Sequence, residues 1–128
     1  MTVFIFLGWL KKKHNILNHK RLKIVKKDIL KININDFKNI DIVCDFIGIA
    51  NDSSSDINKK YSHKINFSSR YKAALLAKKA KVNRYIFNST CSIYGFNKNK
   101  VFENSKKNPL SCYAKAVYAA DKKIFNLK

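Results

Sequence analysis

The sequence predicts one α/β domain, a small parallel sheet of about four short strands with flanking helices. Three observations lead there. Short runs such as V-F-I-F-L at Val3–Leu7 are apolar without alternation, the pattern of strands covered on both faces. Two later stretches switch to the 3.6-residue period of helices. Strands and helices alternate along the chain, as parallel strands joined by helical crossovers do.

Val3–Leu7 is the first strand, and the basic stretch that follows it, up to Lys20, is too irregular for a helix. Leu22–Val25 reads as a second short strand, leading to Asp28 and Ile29. Ile40–Ala50 is a third apolar run and closes on a turn-rich patch, Asn51–Asp56. Over 66–81 the spacing predicts a helix, with Ala73, Leu76, Ala77 and Ala80 at i, i+3, i+4 and i+7. Arg84–Phe87 is a fourth strand, with Asn88–Gly95 a polar loop at its carboxyl end. After Pro109, Ser111 is placed to cap a second helix running to Asn126. Neither repeat nor linker interrupts residues 1–128, so one domain is expected.

Composition sets limits. An apolar share of 46% and an aromatic share of 12% exclude a disordered basic tail. No apolar run reaches 18 residues, so no transmembrane helix and no membrane partner are expected. The net charge of +19 is the footprint of a polyanion binder. Yet 24 of the 27 basic residues are Lys, scattered in short runs and accompanied by 15 Asn and 15 Ile. An A+T-rich coding sequence produces that bias, whereas phosphate and base recognition favours Arg. Specific nucleic-acid binding is therefore not expected. Cys44, Cys91 and Cys112 are odd in number and lack ligand spacing, which argues against disulfides and a metal site. Lone thiols suit a reducing, cytoplasmic compartment. The apolar start precedes Lys11–Lys13, the reverse of a secretory signal.

Five segments fall in an order and spacing that resemble the NAD-dependent epimerase/dehydratase family, the extended short-chain dehydrogenase/reductases acting on nucleotide sugars. They are I-V-K-K-D-I (Ile24–Ile29), D-I-V-C-D-F-I-G-I-A (Asp41–Ala50), K-I-N (Lys64–Asn66), A-K-K-A-K-V-N-R-Y-I-F-N-S-T-C-S-I-Y-G (Ala77–Gly95) and N-P-L-S-C-Y-A-K (Asn108–Lys115). The resemblance implies a partial Rossmann-like sheet, NAD or NADP as cofactor and a nucleotide-sugar substrate. By position, Asp28 and Ile29 resemble the pair that reads adenine, although Asp28 also suits a solvated acid at a strand end. Phe46, Ile47, Gly48 and Ile49 match the loop lining the cofactor's ribose and diphosphate. Asn66 matches the family's helix-start Asn and equally suits a simple N-cap. Thr90 and Tyr113 match the catalytic hydroxyl and the catalytic tyrosine, and must meet at the carboxyl edge of the sheet. Oxidising a sugar alcohol requires a base for the hydroxyl proton as hydride leaves. A tyrosine titrating near 10 is a poor base at neutral pH, and the family activates it with a Lys one helical turn on.

Here the sequence departs from the family. Val117 occupies the position of that Lys, and Lys115 lies about 200° around the helix from Tyr113. A Y-x-x-x-K pattern does occur at Tyr118–Lys122, out of register and without its context. Three glycines, Gly8, Gly48 and Gly95, cannot form the G-x-G-x-x-G turn that cradles the diphosphate. Val3–Leu7 most resembles the family's second strand, so the first β-α unit and the substrate domain are expected to be missing, with truncation at both ends. Such a piece is expected to be inactive alone. It would work with a complementing chain or homologue, or persist as a polyanion-binding or inactive partner protein.

Overall fold

The structure, a computed structural model, describes residues 27–127 and the backbone of 3–6. Among the described residues three parallel strands form one sheet in the order β1 (Val3–Phe6), β2 (Ile42–Asp45), β3 (Arg84–Phe87). Val3 pairs with Ile42 and Ile42 with Arg84 at one end, Phe6 with Asp45 and Asp45 with Phe87 at the other. The expected strand at Leu22–Val25 lies outside the described residues. The third apolar run, Ile40–Ala50, is a strand only over Ile42–Asp45. Its remainder forms the loop on which the site depends.

β1 lies directly against β2. In a Rossmann order of 3-2-1-4-5-6 that is the place of strand 1, the slot left empty if Val3–Leu7 were strand 2. A central parallel strand exposes both rows of backbone groups, so a neighbour that satisfies one row is strongly favoured.

Between β2 and β3 the chain is helical over a longer span than the periodicity predicts. α1 (Asp52–Ile57) and α2 (Lys59–His63) precede a π-helical segment, Lys64–Ser69, which runs on into α3 (Arg70–Lys79). The patch Asn51–Asp56, expected as turns, is thus a capped helix: Asn51 Oδ1 accepts from Ser54 N at 2.9 Å. The inward residues of α1 and α2 are the small polar Ser55 and Ser62, both buried, which carry no apolar period to read.

The main core lies between the helices and one face of the sheet. Val43 and Ile47 meet Ala73 and Ala77 of α3, and Ile29, Ile32 and Phe37 close the cluster from two 3₁₀ turns, Ile29–Lys31 and Ile34–Phe37. α4 (Cys112–Phe125) packs on α1, α2, the π segment and α3 through Ala114, Ala116, Val117 and Ala120. Ser111 caps it as expected, its Oγ accepting from Ala114 N at 3.1 Å. No described helix is long and apolar enough to cross a membrane.

Candidate functional site

The carboxyl ends of β2 and β3 open into two loops that carry Phe46, Ile47, Gly48 and Thr90. After β2, the loop 46–50 is held at two points. Asp45 Oδ1 accepts from Ile47 N at 3.0 Å. Asn66 pairs with one residue from both sides, its Oδ1 accepting from Ile49 N at 2.8 Å and its Nδ2 donating to Ile49 O at 3.2 Å. Asn66 is fully buried and also donates to Ser62 Oγ at 3.0 Å. It is therefore neither a helix start nor an N-cap; it sits within the π segment, where the locally widened turn turns its amide toward the loop.

These anchors sort the loop residues. Ile47 is buried in the core, while Phe46 is 52% exposed and Gly48 is exposed. A Cβ on Gly48 would lie 3.2 Å from Asn66 Oδ1, so a side chain there would press on the amide that fixes the loop. Ile29 is likewise buried in the core. Asp28 is exposed, and its Oδ1 accepts from Leu30 N at 2.9 Å to cap its own turn. Ile29 and Ile47 thus offer a ligand backbone rather than side chain, and Asp28, Phe46 and Gly48 are accessible.

After β3, Thr90 caps the 3₁₀ turn Cys91–Tyr94, its Oγ1 accepting from Ser92 N at 3.3 Å. The segment returning to α4 crosses this turn, Asn108 N donating to Ile93 O at 2.9 Å. Gly95 has φ +68° and faces the Asn108 backbone, so conformation and space both require glycine. Ser89 Oγ donates to Asp121 Oδ2 of α4 at 3.1 Å. The turn that Thr90 caps therefore packs on α4, whose first turn carries Tyr113. Tyr113 is half-buried, and Val117, one turn on, is fully buried. Lys115 is exposed, as its place around the helix requires. Lys122 Nζ lies 4.8 Å over the Tyr118 ring, a cation–π contact within α4.

The sequence reading missed a buried cluster beneath both loops. Arg70 Nε donates to Asp45 Oδ2 at 2.9 Å, and Tyr85 Oη donates to the same oxygen at 2.9 Å. Burial and the Asp45 carboxylate hold the Tyr85 hydroxyl far above its ordinary pKa, so it stays a donor. Two signals were available. Asp45 ends an otherwise apolar strand, and Arg70 is one of only three Arg in a chain of 24 Lys.

Among the described residues no group of His, Cys, Asp or Glu could hold a metal. For a dinucleotide the fit is partial. A hydrogen-bonded loop with exposed Gly48 at the end of a parallel strand suits the ribose side, whereas the sequence has no glycine-rich turn for the diphosphate.

The model of the NAD dependent epimerase/dehydratase family matches residues 5–127, and the chain belongs to that family. No curated protein matches it. Among solved structures it is similar to a UDP-N-acetylglucosamine 4-epimerase from Methanobrevibacter ruminantium M1, with 24% identity and a TM-score of 0.78 over 84% of this chain and 36% of that one. MoeE5 in complex with UDP-glucose and NAD gives 23% identity and a TM-score of 0.76 over 80% and 35%. The dTDP-glucose 4,6-dehydratase DesIV from Streptomyces venezuelae, with NAD bound, gives 22% and 0.74 over 82% and 34%. At these identities the likeness is one of fold. The chain spans about a third of the length of these structures.

Proposed function

We propose that the chain is part of the cofactor-binding domain of an NAD-dependent enzyme acting on a nucleotide sugar. Family membership and the fold support this reading, and one observation carries it: the turn capped by Thr90, at the carboxyl end of β3, packs on the helix that presents Tyr113. Thr90 would hold the reacting sugar hydroxyl and Tyr113 would take or return its proton. Phe46, Gly48 and the backbone of Ile47 would line the ribose side of the cofactor, with Asp28 and the backbone of Ile29 at the adenine. When bound, the nicotinamide supplies the hydride acceptor and donor. Two of the similar structures, MoeE5 and DesIV, hold NAD, which favours NAD over NADP.

Turnover would need polypeptide beyond these 128 residues, because the similar chains are about three times as long. It would also need a substitute for the activating lysine, since Val117 is core. The test is titration of the purified chain with NAD, followed by intrinsic fluorescence. Saturable binding with a Kd of about 1 mM or tighter is expected, weakened by Gly48→Val. Absence of saturation at about ten times that concentration would overturn the cofactor reading. UDP-glucose with NAD should show no turnover by the chain alone.

A further inference from the structure

We propose that Arg70 is the positioning residue of this site: it locks the carboxyl ends of β2 and β3 together and so sets the loop 46–50 relative to Ser89 and Thr90. Its guanidinium reaches both strand ends at once. Nε donates to the Asp45 carboxylate at 2.9 Å, while Nη2 donates to Asp45 O at 3.2 Å and to Asn88 O at 2.8 Å. Its Cζ also lies 3.9 Å over the ring centroid of Phe87, the last residue of β3, a cation–π contact. Asp45 passes the constraint on, through Oδ1 to Ile47 N and through its carbonyl, which accepts from Asn88 N at 3.1 Å. The first residues of both loops are thereby fixed to one side chain.

Stability alone is a weak reason for this cluster. A buried ion pair is often matched or exceeded in stability by well-packed apolar residues, whereas it does define a single geometry. Arg70 and Asp45 are 3% and 1% exposed, so the pair pays a full desolvation penalty. The residue type also has a reason. Lys supplies one compact point charge and lacks the planar fork that here joins a carboxylate and two carbonyls over an aromatic ring. In a chain where Lys outnumbers Arg 24 to 3, this position needs the planar fork. The role assigned to the lock rests on the proposed cofactor site; the lock itself does not.

Hydrogen exchange on two variants tests it. Arg70→Met leaves the Asp45 carboxylate buried and unpaired and can unfold the chain. Asp45→Asn/Arg70→Met removes both charges, while the introduced amide keeps the bond to Ile47 N and can donate to the Tyr85 hydroxyl. In the double variant the melting temperature should stay close to that of the parent. Exchange at the amides of Asn88 and of residues 89–92 should rise about tenfold or more relative to those of α4. NAD should bind about tenfold more weakly. Exchange that changes no more at these loops than in α4 would overturn the proposal. If the parent chain fails to bind NAD, the cofactor reading falls, and the exchange ratio still decides the role of Arg70.

Discussion

Asn66 shows how much one side chain can decide. Its primary amide occupies the donor and the acceptor of Ile49 together, as a neighbouring strand would, and so holds an irregular loop against the core. Asn66→Ala would leave the N–H and C=O of Ile49 unpaired in a part-buried setting and should destabilise the chain by about 2–3 kcal/mol, read by urea denaturation. Sequence matching read this residue as a helix start or an N-cap and so misjudged its setting, because a lone Asn before a helical period looks the same at an N-cap as within a π turn. The pairing of Arg70 with Asp45 was illegible for a related reason, although each residue stood out by itself. The two lie 25 positions apart, and no local pattern encodes that pairing.

At the scale of elements, legibility followed apolar periodicity. β3 and α4 were found almost to the residue, since R-Y-I-F is a short strand run and Ser111 begins a period that buries Ala114, Val117 and Ala120. α1 and α2 were not, because their inward positions are serines. Removing the α4 cap with Ser111→Ala should cost about 1 kcal/mol, with Ser111→Gly costing less, as measured by thermal unfolding. The turn Ile34–Phe37 gives a pH prediction. Burial tends to raise the pKa of Asp36, but hydrogen bonds from Lys27 and Asn33 N outweigh it and hold the carboxyl below 3.8. A depressed native pKa means a stabilising contribution present in full above the unfolded value and lost as pH falls through the native one. Carboxyl NMR should therefore show Asp36 titrating below 3.8, and Asp36→Asn should blunt the loss of stability on acidification.

For the whole molecule, charge and fold point in different directions. A net charge of +19 attracts polyanions at low ionic strength, and heparin or oligonucleotide binding should be measurable there. Because the lysines are dispersed, that binding should disappear by about 0.15 M salt; persistence above it would favour a selected polyanion surface. The parallel sheet, by contrast, places the loop with Phe46, Ile47 and Gly48 and the turn capped by Thr90 at one edge. Parallel strands all end on the same side, so loops 40 residues apart in sequence become neighbours there.

The sequence by itself determined the α/β class, the β3 strand, the capped final helix and the family, because each rests on local periodicity or on short motifs kept in order. Tertiary structure alone decided that the N-terminal strand lies beside β2, that Ile29 and Ile47 turn inward, and that Arg70 ties two strand ends together. Those facts depend on which distant groups must satisfy one another once water is excluded, and a linear pattern does not record them.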